Sequence, residues 1–320
     1  MYKIRFPKFR LRTLIIAISL LGIVFAVFGN YFSQVIYQKQ TVAWVERNQG
    51  YYAYNGGPNI DIDIESGSSP IFGKEFFYSL EYISLTNTQI DNLTRLSSLD
   101  QLKNLKLDNT MVNDLSPLSG LSNLESLTLN NTSVDDLSPL SNLENLKGLY
   151  ISGTNVSDLN PLSNLTKINF LYLNRTQISD LTPIQNFSKL TGLGCNNTSI
   201  SDLSPLSQLD NLHFLDFSNT KISDLSPLSQ LDNLHRLDIS NTKVSDLSPL
   251  GHLTYIRELN LHNTPVTDLK PLYKSRCQKL NLVGCKITEA EIKAFEAAVP
   301  DCKILRPNDP LPVPFKLIFP

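Results

Sequence analysis

The sequence predicts an α/β solenoid, in which a curved parallel β-sheet carries short 3₁₀ or helical turns on its convex side and is preceded by one transmembrane helix. Two observations support this prediction. Eight of the eighteen prolines follow one another at an unbroken interval of 22 residues, which indicates a repeat. The first twelve residues are rich in Lys and Arg, contain no acidic side chain and precede an apolar run, which is typical of a membrane segment.

The composition narrows the classes of protein that the chain can form. With 28 Lys plus Arg against 30 Asp plus Glu, the net charge of -2 gives no broad cationic surface, so we expect no nucleic acid partner. The 41% of hydrophobic residues excludes a disordered chain. The four cysteines are too few and too unevenly spaced for a disulfide scaffold. No two of them form a Cys-x-x-Cys pair, so no zinc site is predicted.

The amino-terminal segment predicts a location in the cell membrane. Residues 1–12 form a basic tail, and residues 13–32 form an apolar stretch that spans about 30 Å as a helix and matches a bilayer core. Because basic flanks stay cytoplasmic, we expect a single-pass signal anchor that places the rest of the chain outside the cytoplasm. A cleavable signal peptide is the alternative, although Val27 and Gly29 give only a poor cleavage site.

Residues 33–79 are predicted to form a stalk and an amino-terminal cap. An amphipathic helix is expected from Gln34 to Gln49, ending at Gly50, and a strand over Tyr51–Tyr54. The apolar positions of this helix are Val35, Ile36, Val42 and Val45, with Trp44 between polar residues.

The repeats cover residues 80–288. In each unit a short strand alternates apolar and polar residues, as Leu127 and Leu129 do with Thr128 between them, so one face of the strand is buried. The phrase that follows starts a helical turn, for which Ser116 is the predicted N-cap and Pro117 the first-turn residue. One unit cannot close a core, so the units are expected to stack as ten parallel strands.

The unit resembles the internalin-type bacterial leucine-rich repeat. The resemblance rests on the recurring Leu124, Leu127, Leu129, Thr132 and Val134 and on the trailing D-L-S-P-L phrase. The flanking segments are similar to those of membrane-anchored bacterial repeat proteins. The resemblance implies protein recognition by the concave sheet, but host-cell adhesion does not transfer, because no sorting signal or immunoglobulin-like domain follows the repeats.

Residues 289–320 are predicted to form a C-terminal cap helix and a proline-rich tail. Thr288 and Glu291 fit a capping box, and Ile292, Phe295 and Val299 follow at helical spacing. Cys195 replaces a core leucine and is expected to be a buried thiol, whereas a Cys277–Cys302 bridge is a further expectation near this cap.

The binding site is predicted on the concave face, where side chains differ from unit to unit. Gly192 and Gly194 leave one unit without side chains there, which predicts a notch. Its expected walls are Phe170 and Tyr172 on one side and Phe214 and Asp216 on the other. Aromatic residues with nearby arginines are typical interface anchors. The candidate ligand-binding residues are Tyr150, Phe170, Tyr172, Arg175, Gly192, Gly194, Phe214, Asp216, Arg236 and Asp238. The alternative is that the aromatic side chains only shield strand backbones or lie under a cap.

Three other patterns in the sequence bear on metal binding or on structure. Asp216 and Asp238 lie one unit apart, where a cation could bridge them, although Arg236 and water provide a simpler account. His213 and His235 sit in duplicated sequence and lack further ligands, so no metal is predicted. The repeated Asn and Asp columns are expected to be structural, the Asn column through ladder hydrogen bonds.

No catalytic constellation and no cofactor motif is found in the sequence. The sequence therefore predicts a non-catalytic protein–protein interaction scaffold, displayed outside the cytoplasm, that binds its ligand on the concave sheet. A carbohydrate or cell-wall binding module that uses the same aromatic face is the alternative. A purely structural surface component, without a saturable ligand, is a third hypothesis.

Overall fold

A computed structural model describes residues 29, 31–54 and 79–310. Helix α1 covers 31–47, and helix α2 covers Glu289–Ala298. Twelve strands follow the chain as β1 (Tyr51–Tyr54), β2 (Leu80–Ser84), β3 (Asn104–Lys106), β4 (Ser126–Thr128), β5 (Gly148–Tyr150), β6 (Phe170–Tyr172), β7 (Gly192–Gly194), β8 (Phe214–Asp216), β9 (Arg236–Asp238), β10 (Glu258–Asn260), β11 (Lys279–Asn281) and β12 (Lys303–Leu305).

The strands of this described region form one sheet in chain order. Only β1 pairs antiparallel, with β2, and every later pair is parallel and in register. Successive repeats therefore lie side by side, as a solenoid requires. The ten predicted repeat strands, β2 to β11, and the predicted strand β1 are confirmed, whereas β12 was not predicted.

The core lies between the sheet and a row of short turns. The repeat leucines, such as Leu124, Leu127 and Leu129, have no exposed surface, and one continuous apolar cluster extends from Val42 to Val299. Nine 3₁₀ turns are present in the described residues, at Thr94–Leu96, Ser116–Leu118, Ser138–Leu140, Asn160–Leu162, Thr182–Ile184, Ser204–Leu206, Ser226–Leu228, Ser248–Leu250 and Lys270–Leu272. The predicted 3₁₀ connections are confirmed.

The residue that starts each turn differs from the prediction. Ser116 makes no side-chain cap; instead the carboxylate Oδ1 of Asp114 accepts a hydrogen bond from the backbone N–H of Ser116 at 2.8 Å. An Asp-to-backbone turn of the same length recurs in all eight proline-containing repeats. The side-chain hydrogen bond from Ser204, followed by its backbone hydrogen bond, lowers the pKa of Asp202. The equivalent pair of hydrogen bonds lowers the pKa of most of the other turn aspartates.

Two further repeated positions have backbone roles. The buried Thr of the first nine repeats donates its hydroxyl hydrogen to the carbonyl three residues earlier, as Thr132 does to Leu129 at 2.7 Å, and Cys285 replaces it in the tenth. The Asn column adopts positive φ near 55°, a conformation that Asn tolerates better than most residues. The predicted Asn ladder is present in part, for example between Asn109 and Asn87 at 2.8 Å, but the left-handed backbone explains the column more completely.

Different elements cover the two ends of the core. Helix α1 places Val42 and Val45 on the first repeat, and Gly50 passes so close that a Cβ there would lie 2.6 Å from Leu85. Ile36 is 55% exposed, so its predicted place on the apolar side of the helix is wrong. At the other end, Ile292 and Phe295 of α2 are buried as predicted.

Only one of the two hydrogen bonds of the predicted capping box of α2 is formed. Thr288 Oγ1 accepts from the N–H of Glu291 at 3.2 Å, as expected. The Glu291 carboxylate does not return this bond to the backbone of Thr288; its Oε1 accepts from the N–H of Leu269 at 2.9 Å and from the Tyr273 hydroxyl at 3.1 Å. Glu291 therefore fastens the helix to the last full repeat.

Two sequence predictions are corrected at the ends of the chain. The predicted single-pass location in the cell membrane is wrong, because among the residues that the structure describes no helix is both long and apolar enough to cross a bilayer. The predicted span, 13–32, and the basic tail, 1–12, lie almost entirely outside the described residues. The predicted Cys277–Cys302 bridge is not formed, since both are free thiols, although a hydrogen bond between the two thiols, followed by burial, raises the pKa of Cys277.

Candidate functional site on the open face of the sheet

The open face is the side of the sheet opposite the core, and it corresponds to the predicted concave side. Strand pairing places the candidate residues in two columns along it. One column runs from Tyr150 through Tyr172, Gly194 and Asp216 to Asp238, and the other contains Phe170, Gly192, Phe214 and Arg236. The neighbour relations that were predicted from the 22-residue interval are therefore present.

The predicted notch is filled by neighbouring rings. A Cβ on Gly192 would lie 3.0 Å from Cδ1 of Phe170 and 3.3 Å from the Tyr172 hydroxyl, and a Cβ on Gly194 would lie 2.6 Å from Cδ1 of Tyr172. Gly148 stands in the same relation to Tyr150, at 3.1 Å. Gly192 and Gly194 are thus seats on which the aromatic rings of the adjacent strand β6 lie, whereas Gly148 seats the ring of Tyr150 on its own strand.

These rings form a separate apolar group, the aromatic cluster, made of Tyr150, Phe170, Tyr172 and Phe214. Tyr150 and Tyr172 stack with ring centroids 5.1 Å apart, and Tyr172 and Phe214 are only 6% and 7% exposed. Burial, followed by the nearby Tyr150 and Asp216, raises the pKa of Tyr172, so its hydroxyl is neutral. The rings are held by one another before any ligand arrives.

A cavity of about 380 Å³ lies beside the aromatic cluster. Its walls combine apolar rings with basic side chains from successive repeats, namely Phe170, Tyr172, Thr191, His213, Phe214, His235, Arg236 and Arg257. The rings of His213 and His235 meet edge to face at 5.3 Å. Burial, and then the proximity of His213, lowers the pKa of His235.

Sequence reasoning missed part of this cavity. The duplicated sequence around His213 and His235 predicts no binding role for them, and Arg257 lies outside the two predicted columns. All three residues immediately precede a strand, and therefore form a third column next to the two that were analysed. That column was available in the sequence as a signal, because Thr191, His213, His235 and Arg257 follow one another at 22-residue steps.

The predicted acidic pair is present but lies apart from the cavity lining. Asp216 and Asp238 are paired across β8 and β9 and are 5% and 6% exposed. Each Oδ1 accepts from the N–H and hydroxyl of the serine two residues on, and each Oδ2 accepts from an asparagine side chain. Burial and the charge of Asp216 raise the pKa of Asp238 to about 6.

Arg175 lies at the repeat position that Asn or Gly occupies in the other units. Its φ of 57° lies in the left-handed region, and its Nη2 donates to Oδ1 of Asn131, two repeats away, at 3.3 Å. It does not line the cavity of the aromatic cluster. Among the described residues, no group of three or more His, Cys, Asp or Glu side chains is placed to hold a metal ion.

Stacked 22-residue units with a parallel sheet, 3₁₀ turns and a leucine core define a leucine-rich repeat solenoid. The family model for leucine-rich repeats in two copies matches residues 144–186, 188–230 and 232–274. Proteins built from such repeats are typically non-enzymatic scaffolds that mediate protein–protein interactions. No curated protein sequence matches the chain.

Solved structures agree with this class. The chain is similar to an internalin (InlF) of Listeria monocytogenes, with 25% identity, a TM-score of 0.59 and coverage of 70% of this chain and 79% of that one. It is also similar to internalin C2 of the same species, with 29% identity, a TM-score of 0.53 and coverage of 65% and 80%. The resemblance to internalins is therefore supported in fold and in repeat type.

A more distant likeness concerns the fold alone. The leucine-rich repeat ectodomain of the plant receptor kinase GASSHO1/SCHENGEN3 from Arabidopsis thaliana matches with 18% identity and a TM-score of 0.60, over 78% of this chain and 33% of that one. That ectodomain was solved in complex with CASPARIAN STRIP INTEGRITY FACTOR 2.

Proposed function

We propose that this protein is a non-catalytic protein–protein interaction scaffold that binds its ligand on the open face, at the aromatic cluster. The observation that carries the proposal is the contrast within each unit. Leucine, Thr, Asn and Asp recur for backbone and core, whereas the aromatic residues, Arg236 and the paired glycines occur in particular units only. Repeated positions build the solenoid, so the irregular ones are available to select a partner.

The geometry of the aromatic cluster suits such a role. Stacked and partly buried rings lose little conformational freedom on binding, and large aromatic surfaces dominate interface energetics. The cavity beside them, lined in part by Phe170 and Phe214, gives a partner side chain a place to insert. We assign recognition to the repeats, 80–288, and keep as predictions that 33–79 is a stalk with an amino-terminal cap and that 289–320 is a C-terminal cap helix with a proline-rich tail.

Site-specific photocrosslinking tests the proposal. A photoreactive phenylalanine analogue at Phe170 is expected to form a discrete adduct in cells, which excess unlabelled protein competes away. Gly120 is the control position for the same analogue. It lies in a turn away from the open face, and no atom lies within 4 Å of a Cβ added there. The adduct should be sensitive to protease, because the expected partner is a protein.

The result can contradict the proposal in two ways. Equal adducts from Phe170 and Gly120, or adducts that excess protein does not compete, would remove the open face as the binding surface. Binding on a glycan array that Tyr172→Ala abolishes would favour the carbohydrate-binding alternative instead.

A further inference from the structure

We propose that Cys277 and Cys302 are a reversible thiol–disulfide pair that locks α2 and β12 onto β11, the last strand of the repeats. Cys277 lies two residues before β11, and Cys302 lies one residue before β12. The structure shows both as free thiols, which is the reduced state of such a pair rather than a permanent bridge. Neither residue lines the cavity beside the aromatic cluster.

The pairing of β11 with β12 brings the two cysteines together. The strands are parallel with Lys279 opposite Lys303, and the N–H of Lys303 donates to the carbonyl of Gln278 at 2.8 Å. This register places Cys302 opposite Gln278 and diagonal to Cys277. Diagonal neighbours on parallel strands have Cα atoms about 6 Å apart, which lies within the range of about 4.4–6.8 Å that a disulfide requires. The two thiols are also hydrogen-bonded to each other.

The two thiols differ in their access to solvent. Cys277 is only 2% exposed, whereas Cys302 is half-buried. The hydrogen bond between the thiols, followed by burial, raises the pKa of Cys277, so little of this residue is present as the reactive thiolate. A reagent in solution therefore reacts with Cys302 first, and Cys277 is reached from within the protein.

The reaction that joins the two cysteines is thiol–disulfide exchange with a low-molecular-weight disulfide such as oxidised glutathione. The thiolate of Cys302 attacks one sulfur of this oxidant, forms a mixed disulfide with it and releases the first small thiol. The sulfur of Cys277 then attacks that of Cys302, which closes the protein disulfide and releases the second small thiol. Two electrons pass from the cysteines to the oxidant, and their two protons leave with the released thiols.

The bridge fastens a segment that noncovalent contacts hold in the reduced protein. Helix α2 lies in the chain between the two cysteines, and its Ile292 and Phe295 are buried in the core. Outside the core, Arg306 pairs with Glu289 and Glu296, but ion pairs at the surface contribute little stability. A covalent link around α2 removes conformational freedom from the opened segment and so favours the docked one. The redox state therefore sets how often this end of the solenoid opens.

Peptide mapping under non-reducing conditions tests the pairing. The full chain is equilibrated with reduced and oxidised glutathione, quenched with acid and digested, and the same chain in denaturant gives the reference for random pairing. We expect one linked peptide from the folded protein, which joins Cys277 to Cys302. Cys302→Ser should abolish this peptide. Cys285→Thr is the matched control, because it removes another thiol but restores the residue of the other repeats, and it should keep the peptide.

Amide hydrogen exchange tests the lock. Exchange in α2 should become slower by about tenfold or more after oxidation, and reduction should restore the original rate. Helix α1, at the other end of the solenoid, is the internal control and should exchange at the same rate in both states. In the Cys302→Ser variant, the rate in α2 should no longer depend on the oxidant.

Three results would overturn the proposal. A mixed disulfide that persists at Cys302 would show that Cys277 does not resolve it. Linked peptides of Cys195 or Cys285 in a yield equal to that of the Cys277–Cys302 peptide would show that the pairing is not selective. A Cys277–Cys302 peptide without slower exchange in α2 would show that the bridge forms but does not lock the end of the solenoid.

Discussion

The turns and the open face share one 22-residue period, but they use it in opposite ways. In the turns the same contact recurs from unit to unit, as the Asp202 carboxylate accepts from the backbone of Ser204 and Asp224 from that of Ser226. On the open face neighbouring units differ, so that Tyr172 is followed by Gly194 and then by Asp216.

The difference shows where each kind of information lies. A turn must satisfy its own backbone, and one side chain of the same unit does so, which makes the turn self-contained. The rings of Phe170 and Tyr172 on the open face are held by the unit beside them, because Gly192 and Gly194 of the next strand are their seats. The turns are therefore local structures that are copied, whereas the aromatic cluster is a single structure spread over several units.

Among the substitutions proposed, Gly194→Ala is expected to change the free energy of unfolding most. Its Cβ would lie 2.6 Å from Tyr172, so the ring must move and the stacking on Tyr150 is disturbed. We expect a loss of about 1–3 kcal/mol in the free energy of unfolding, as for other overpacked sites. Chemical denaturation measures it, together with the loss of tyrosine near-ultraviolet circular dichroism.

The matched control is Gly120→Ala, in a turn where nothing lies within 4 Å of the new methyl group. This variant should unfold within about 0.5 kcal/mol of the parent protein. If both alanine variants behave alike, Gly194 does not act as a seat for Tyr172.

A smaller effect is expected from exchanging the residues at left-handed positions. Arg175 has a φ of 57° where other repeats place Asn, so Arg175→Asn should relieve strain and raise the free energy of unfolding by about 1 kcal/mol. Asn219, with the same φ, provides the reverse exchange, and Asn219→Arg should lower stability by a similar amount.

Denaturation midpoints of both variants decide the matter. Opposite shifts are expected, because the backbone is the same and only the tolerance of the side chain differs. Destabilisation by both substitutions would show that the contact between Arg175 and Asn131 outweighs the backbone strain.

The smallest effect concerns the buried acids. Asp238, with a pKa raised to about 6, favours folding most when protonated, so its contribution is present below its ordinary pKa near 3.8 and is lost as the pH rises through 6. Asp216→Asn removes the neighbouring charge and should lower the pKa of Asp238, while burial keeps it above the ordinary value. NMR titration of the Asp238 carboxyl carbon measures this shift.

The exposed turn acid Asp202 supplies the control, since its charge lies outside the contacts of Asp238. Asp202→Asn should leave the pKa of Asp238 unchanged. An unchanged pKa in the Asp216→Asn variant as well would mean that burial alone perturbs Asp238.

Much of the solenoid is predictable because its contacts are repeated. The leucine spacing predicted which residues are buried, and strand pairing in register followed from the period, including the adjacency of Phe170, Gly192 and Phe214. The turn chemistry was wrong in detail. Ser116 and Asp114 are both polar and both recur, so spacing alone does not reveal which one accepts the bond from the backbone.

The candidate site was predicted only in part. The two columns on the open face were visible as alternation along each strand, but the column of His213, His235 and Arg257 precedes the strands and was left out. The prediction of an open notch at Gly192 and Gly194 was wrong, because the large rings of neighbouring residues occupy the space that the missing side chains leave. The membrane location was predicted from composition near the amino terminus, and the described helices do not support it.

Residue spacing along the chain predicts the period, the buried leucines and the stacking of units, because each depends on residues that interact at fixed intervals. The orientation of the Tyr150, Phe170 and Tyr172 rings, the depth at which Asp238 is buried and the place where the cavity opens are visible only in the packed repeats. These features arise from side chains of different units competing for the same space, and packing between units is not encoded in the pattern of any one of them.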